Sequence, residues 1–102
     1  MTATFGMVGT LKAKAEDRPR LVAILTQASE LMGEVDGCLL YVVSEDHDDE
    51  TAVWVIELWR DQSAHEASLQ LSAVRELIAQ ARPLLIGAPS GARLNPISGK
   101  GL

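Results

Sequence analysis

The sequence predicts an α+β protein whose elements follow the order β-α-β-β-α-β. Runs rich in β-branched and aromatic residues predict one strand near residues 4–14 and a pair of strands within residues 35–61. Two other segments, residues 17–33 and 60–85, place apolar side chains at helical spacing. This order is that of the ferredoxin-like arrangement, in which helices cover one face of an antiparallel sheet.

The first strand and helix are predicted from alternation and from capping residues. Residues 4–14 end in alternating apolar and charged side chains. Asp17 is the predicted N-cap of the first helix, and Pro19 falls in its first turn, where a missing N–H costs nothing. Gly33 is expected to follow the last turn as a C′ residue. The apolar positions of this helix are Leu21, Ile24, Leu25, Ala28, Leu31 and Met32.

The hairpin within residues 35–61 is apolar on both of its faces. Side chains alternate across a strand, so Trp54 and Trp59 are predicted on opposite faces, with Glu57 on the face of Trp59. An antiparallel sheet that is apolar on both faces needs two covers, and the helices supply only one. We therefore predict a two-fold homodimer whose sheets face each other. In the second strand of the hairpin, alternation places Ala52, Trp54, Ile56 and Leu58 on one face and Val53, Val55 and Trp59 on the other. In the first strand it places Cys38, Leu40 and Val42 on one face and Leu39, Tyr41 and Val43 on the other.

The second helical segment, residues 60–85, predicts a helix with an internal break. Ser63 and Glu66 have the spacing of a capping box, which makes Ser63 the predicted N-cap. A break is expected near Leu71, after which Ser72 would cap a second segment.

The C-terminal part of the chain is predicted to hold the last strand. The run RPLLIG, residues 82–87, is the predicted strand, and Pro83 confines it to an edge or to the start of a strand. Residues 88–102 are rich in Gly, Pro and Ser and predict an extended tail, with a short strand around residues 92–95 left open. We therefore expect one domain, residues 1–102, with its core in residues 1–87.

Composition excludes several classes of function. The chain has 102 residues, is 47% hydrophobic and carries a net charge of -5. Nucleic-acid binders show clustered basic residues, so neither nucleic acid nor an anionic membrane is an expected partner. No apolar run is long enough to span a bilayer, and the N-terminus lacks the pattern of a secretory signal. With a single cysteine, Cys38, the sequence predicts a cytoplasmic protein.

Several segments resemble the antibiotic biosynthesis monooxygenase (ABM) family, in particular its small bacterial quinol monooxygenases. They are GTLKAKAEDRPRLVAIL, DGCLLYVVSED, VWVIELWRDQSAHEASLQLSAVRELI and the closing NPISGKGL. The most specific piece is Glu57-Leu58-Trp59 running into a helix start of the form Asp-x-x-Ala-His. The resemblance implies a dimeric α/β barrel. It also implies oxygenation of quinols or polycyclic phenols without flavin, haem or metal.

The chain departs from the family pattern at the second helix. Many members carry a histidine there, whereas the corresponding residue is Ser68 and the nearest histidine is His65. Related haem-degrading enzymes use a helix histidine as iron ligand and an asparagine on the first strand. Near that strand position this chain has Gly9 or Thr10, so haem degradation is disfavoured.

His65 and Trp59 are the candidate catalytic residues. In the first turn of its helix, His65 would be kept neutral by the positive end of the helix dipole and could accept a proton. The alternative is an exposed histidine without a role. Trp59 would stack on an aromatic ring or donate through its indole N–H, and the alternative is a core tryptophan.

Glu57, Tyr41 and Leu69 are the candidate substrate-binding residues. Glu57 should be paired because an unpaired buried carboxylate is costly, and the expected partner is Arg60, Arg75, Arg82 or Arg93 of either chain of the dimer. A structural or interface salt bridge is the preferred interpretation of Glu57, with substrate binding as the alternative. Tyr41 would offer a phenol to the pocket.

No metal or cofactor is expected. The acidic run EDHDDE at the hairpin tip lacks the spacing of a calcium loop and predicts a solvated turn. No phosphate loop, GxSxG, HExxH or CxxC motif occurs in the sequence. What remains is cofactor-free chemistry or no chemistry.

The sequence therefore predicts a cofactor-independent monooxygenase that acts on a quinol or a related hydroxylated aromatic with O2. Its pocket would lie between the sheet and the helices, because such chemistry needs an apolar cavity, a base and shelter from water. The alternatives are a non-catalytic dimer that binds a small aromatic molecule, or a cofactor-free isomerase, decarboxylase or cyclase on the same fold.

Overall fold

The computed structural model describes residues 2–102 and confirms the ferredoxin-like α+β fold. Within that range the sheet has four strands in the order β2-β3-β1-β4, and each pair is antiparallel. None of the helices in the described part of the chain is long and apolar enough to cross a membrane. The elements are β1 (Phe5–Lys12), α1 (Arg18–Met32), β2 (Cys38–Glu45), β3 (Ala52–Trp59), α2 (Gln62–Ser68), α3 (Ser72–Ala81), a short 3-10 helix (Arg82–Leu84) and β4 (Ser90–Leu94).

The two faces of the sheet have different neighbours. On β3, Val53, Val55 and Trp59 are buried beneath the helices, whereas Ile56, on the opposite face, is 42% exposed. Trp59 therefore belongs to the helix-covered side and Trp54 to the uncovered side. The register extends these sets across the sheet, since residues directly opposite one another in an antiparallel pair share a face.

A bulge in β2 changes the predicted face of Cys38. Cys38 pairs with Trp59, but Leu40 pairs with Leu58, so one extra residue, Leu39, lies between the two pairs. Cys38 consequently packs with Tyr41 on the helix side. The prediction that Cys38 shares the face of Leu40 is wrong, because the bulge breaks the strict alternation.

The helix ends differ from the predicted caps in α2 and α3. Asp61, not Ser63, is the N-cap of α2, and its carboxylate accepts a hydrogen bond from the Ala64 amide at 2.7 Å. The break near Leu71 is confirmed, but Leu71 itself is the N-cap of α3 and Ser72 is the first helical residue.

The ends of α1 follow the prediction more closely. Asp17 is its N-cap, as predicted, although the Asp17 side chain makes no capping hydrogen bond. Gly33 is the C-cap, with the right-handed φ of -60°, so the prediction of a C′ glycine is wrong.

The last strand lies later in the chain than RPLLIG. Arg82–Leu84 form a 3-10 helix that holds Pro83 in its first turn, where no N–H is required, and Leu85 makes only an isolated bridge to Ala13. The prediction of a strand over residues 82–87 is therefore wrong. The fourth strand is Ser90–Leu94, which pairs with β1. Gly91 permits this pairing, because a Cβ there would collide with the backbone of β1.

The hairpin tip is fastened to the start of α1 by Arg18. Its Nη1 donates to the carbonyl oxygen of Asp49 at 2.9 Å and to those of Asp46 and Ala52 at 3.4 Å. Its Nη2 lies 3.3 Å from a carboxylate oxygen of Glu45. The carboxylate of Asp46 accepts hydrogen bonds from two amides of the turn and from the indole of Trp54. These bonds fix the tip as an ordered turn.

Candidate active site

A cavity of about 470 Å³ lies between the helix-covered face of the sheet and helices α1, α2 and α3. Its lining is mostly apolar, with side chains from Leu11 on β1 to Leu77 on α3. The polar side chains that reach it are Tyr41, Glu57, His65, Ser68 and Arg82. A concave, mostly apolar space with a few convergent polar groups is the usual form of a small-molecule site.

The end of β3 and the start of α2 bring the central residues together. Glu57 and Trp59 lie on the helix-covered face, and the chain turns into α2 two residues after the strand. The Arg60 amide donates to the Gly37 carbonyl at 2.8 Å, which anchors this turn. Gly37 also allows α2 to approach closely, since a Cβ there would overlap the side chain of Ala64. His65 is thereby held above the strand end.

Trp59, Glu57 and His65 form one cluster. The indole Nε1 of Trp59 donates to Glu57 Oε1 at 3.0 Å, and His65 Nε2 lies 3.9 Å from the same oxygen. The second distance is too long for a direct hydrogen bond but within ionic reach. The His65 ring meets Trp59 edge-on with 5.2 Å between centroids, and Phe5 lies 5.5 Å away on a tilted plane. The side chains of His65 and Glu57 are only 14% and 15% exposed.

Burial raises the pKa of the Glu57 carboxyl above its usual value. The Trp59 hydrogen bond and the nearby His65 act in the opposite direction and offset part of this rise. Within residues 2–102 no arginine of the same chain lies at ion-pair distance from Glu57, and pairing with an arginine of a second chain stays a prediction. Within the chain the Trp59 indole is the partner of Glu57, so the carboxylate keeps its second oxygen for another partner.

The position of His65 in its helix differs from the prediction. With Asp61 as N-cap, His65 falls in the last turn of a seven-residue helix. The prediction that His65 lies in the first turn is therefore wrong. The alternative of an exposed histidine is also wrong, since Phe5 and Trp59 enclose the ring. Its place within the cavity makes it a candidate acid–base group on geometric grounds.

Tyr41 brings a phenol to the same cavity from β2. It pairs with Glu57 across the strands. Burial is the main cause that raises the Tyr41 pKa far above its ordinary value, and the charges of Glu57 and Cys38 add to the rise. The phenol is therefore neutral at physiological pH and can donate a hydrogen bond.

The remaining lining residues near the cluster come from α2. Leu69, the C-cap, lines the cavity and is 39% exposed. Ser68 is buried at 3% exposure, and its hydroxyl donates to the His65 carbonyl at 2.6 Å. The structure thus places all five candidate residues on the cavity. Ser68 and Arg82 also line the cavity but were not among the predicted binding residues, and Arg82 lies in a 3-10 helix where a strand was predicted.

Comparisons with known proteins agree with this architecture. A family model described as antibiotic biosynthesis monooxygenase matches residues 4–80. A solved structure of a candidate antibiotic biosynthesis monooxygenase from Chloroflexus aurantiacus is 34% identical, with a TM-score of 0.85, over 96% of this chain and 97% of that chain. A search of curated proteins finds no match.

Two further solved structures are similar along almost the whole chain. A candidate antibiotic biosynthesis monooxygenase from Deinococcus radiodurans is 27% identical, with a TM-score of 0.84 over 94% of this chain and 95% of that one. Another from Caulobacter crescentus is 22% identical, with a TM-score of 0.87 over 94% of this chain and 92% of that one, and supports the fold alone. The family model covers most of the sequence, and the chain therefore belongs to the antibiotic biosynthesis monooxygenase family.

Proposed function

We propose that this protein is a cofactor-independent monooxygenase that oxidises a quinol or a related hydroxylated aromatic with O2. The observation that carries the proposal is the cluster of Glu57, His65 and Trp59 on a mostly apolar cavity in a chain of the ABM family. The apolar walls suit an aromatic ring, and the two titratable groups suit its hydroxyl.

The reaction begins with removal of a proton from the substrate hydroxyl. His65 Nε2 and the free oxygen of Glu57 are the acceptors at that end of the cavity. The resulting anion is electron-rich and reduces O2, so the substrate supplies the electrons. One oxygen atom becomes bonded to a ring carbon, and the other leaves as water. The net change converts a quinol and O2 into a hydroxyquinone and water, in which atoms and electrons balance.

The other lining residues bind and orient the ring. The edge of Trp59 faces His65, and its indole N–H holds Glu57 in place. The neutral phenol of Tyr41 donates a hydrogen bond to the negative charge that develops on the substrate oxygen. Leu69 closes the cavity from the end of α2 and helps to exclude water.

The protein acts, in this proposal, as a homodimer joined through the uncovered face of the sheet. The register places Val42, Ile56, Val8 and Ala92 in one row on that face. Val42 and Ile56 are 41% and 42% exposed, and Leu40 and Leu94 in the next row are 38% and 45% exposed. A continuous apolar patch of this kind on an open sheet supports pairing with an identical face.

The test is oxygen uptake by the purified protein with reduced naphthoquinols, after autoxidation has been subtracted. We expect protein-dependent uptake that falls at least about tenfold in His65→Ala, the scale of general acid–base catalysis. The matched control is His47→Ala, because the His47 side chain lies on the hairpin tip and is 98% exposed. Metal and flavin content are measured on the same sample to test the cofactor-free part of the proposal.

The other outcomes separate the alternative functions. Binding of the quinol without oxygen uptake would contradict the proposal and favour a non-catalytic carrier. Loss of substrate without oxygen uptake would favour an isomerase, decarboxylase or cyclase. Equal oxygen uptake by His65→Ala and the wild type would support the monooxygenase activity but contradict a role for His65 in its mechanism.

A further inference from the structure

A second hollow extends the cavity toward β4. It shares Leu11, Leu25, Tyr41, Glu57 and Pro89 with the main cavity and has a volume of about 470 Å³. Its remaining walls come from β1, β4 and Val55 of β3, and Gly9 of β1 pairs directly with Gly91 of β4. Because Gly9 carries no side chain, the sheet leaves an open floor at this point. A Cβ added to Gly9 would meet only the Ser90 carbonyl, at 3.4 Å.

Arg93 lies at the far end of this hollow, in line with the candidate catalytic residues. The strand register forms one row across the sheet, in which Tyr41 pairs with Glu57, Glu57 with Met7, and Met7 with Arg93. Two strand spacings separate the Cα atoms of Glu57 and Arg93, which is about 10 Å. The hollow therefore has the Glu57 carboxyl at one end and the Arg93 guanidinium at the other.

The guanidinium of Arg93 has no acidic partner at ion-pair distance within residues 2–102. Arg20, Arg75 and Arg82 also have no such partner in that part of the chain, and of these four arginines only Arg93 lines this hollow. A guanidinium that lines a hollow and is not neutralised by the protein suits a carboxylate, to which it can donate two parallel hydrogen bonds.

We propose that the substrate is a hydroxylated aromatic acid whose carboxylate is bound by Arg93 over the Gly9 floor. This inference rests on the proposed function, because it assumes that the aromatic hydroxyl lies at Glu57 and His65. The arrangement also fixes the direction of binding. A carboxylate at the Glu57 end would meet a like charge, whereas at the Arg93 end it meets an opposite one. Arg93 is thus a specificity-determining residue.

The test uses three ligands in solutions freed of O2, so that none of them turns over: a hydroxynaphthoate, the matching hydroxynaphthamide and the unsubstituted naphthol. Isothermal titration calorimetry on the full chain measures Kd for each. Because Arg93 is exposed, we expect the wild type to bind the acid about two- to fivefold more tightly than the amide, the scale of one exposed ion pair. Arg93→Gln should remove this preference and leave the affinity for the amide unchanged. Arg20→Gln, on the exposed side of α1, is the matched control.

A second variant tests the floor of the hollow. Gly9→Val should retain the affinity for naphthol and weaken binding of the acid about tenfold or more, because the valine fills the space of the substituent. Equal affinity of the wild type for acid and amide would overturn the inference, as would a preference that survives in Arg93→Gln. A preference lost in Arg82→Gln instead would also overturn it. Absence of binding by all three ligands would contradict the proposed function as well, so the two failures are distinguishable.

Discussion

Replacement of Trp59 by phenylalanine is the sharpest test of the cluster at the strand end. The Trp59 side chain is 1% exposed, and its indole donates the hydrogen bond that holds Glu57. Trp59→Phe removes this donor and leaves a void beside His65. A hydrogen bond to a charged group contributes about 1.5–3 kcal/mol, and the void adds about 1 kcal/mol. We expect a total loss of about 2.5–4 kcal/mol, a large share of the stability of a small domain.

Trp54→Phe is the matched control, because Trp54 makes the same kind of bond in a different environment. Its indole donates to a carboxylate oxygen of Asp46 at 2.7 Å, but Asp46 lies at the hairpin tip, outside the two rows that are proposed to pair with a second subunit. Solvent can replace a bond there, so we expect the loss for Trp54→Phe to be much smaller than for Trp59→Phe.

The assay for both variants is urea unfolding followed by far-ultraviolet circular dichroism, which does not depend on tryptophan emission. Protein concentration is held constant, because association would shift the midpoints. A loss in Trp59→Phe should lower the midpoint without changing the slope. In a thermal scan it should lower Tm by at least about 8 °C. A loss below about 1 kcal/mol for Trp59→Phe, or an equal loss for Trp54→Phe, would refute the assignment of Trp59 as the buried support of Glu57.

Three further perturbations test other parts of the structure. Burial raises the Glu57 pKa, so Glu57 contributes stability that is fully present below the unfolded-state pKa and is lost as pH rises through the folded-state pKa. The urea midpoint of Glu57→Gln should therefore equal that of the wild type in acid and exceed it at neutral pH. Arg18→Met should lower the free energy of unfolding by about 1.5–3 kcal/mol in the same assay, because it removes the hydrogen bonds to the hairpin tip. An equally small effect in Arg18→Met and in the control Arg20→Met would contradict the role of Arg18 in fastening the tip. Ile56→Lys should give a monomer in light scattering, whereas Gln27→Lys on exposed α1 should not.

Strand periodicity predicted the side of the sheet that carries the site. Glu57 and Trp59 are two residues apart, so they were expected on one face, and the structure joins them by a hydrogen bond. Periodicity could not predict the face on which Cys38 lies, because the bulge at Leu39 interrupts the alternation and no residue pattern in the sequence indicates it. The hydrogen bond from the Trp59 indole to Glu57 was not predicted either, because the expected partner of a buried carboxylate was an arginine.

The errors near the chain end and at α2 have a common cause. RPLLIG is more apolar than SGARL and was therefore the expected strand, but pairing with β1 requires a close backbone approach that Gly91 permits. At α2, both Asp61 and Ser63 are good N-cap residues. The extended backbone of Asp61, at φ -160° and ψ 171°, decides between them, and that conformation follows from where β3 ends. In both cases a neighbouring strand determines the result: β1 determines which segment forms the fourth strand, and the end of β3 determines which residue caps α2.

The separation of the two tryptophans gives the protein two built-in optical reporters. Trp59 touches the cavity, whereas Trp54 lies on the sheet face that would meet a second subunit. A chain with Trp54→Phe would emit only from the cavity and would follow ligand entry. A chain that keeps Trp54 alone would follow subunit association through the polarity around its indole. Occupancy and assembly, usually inferred from one composite emission band, could then be recorded as independent signals from unlabelled protein.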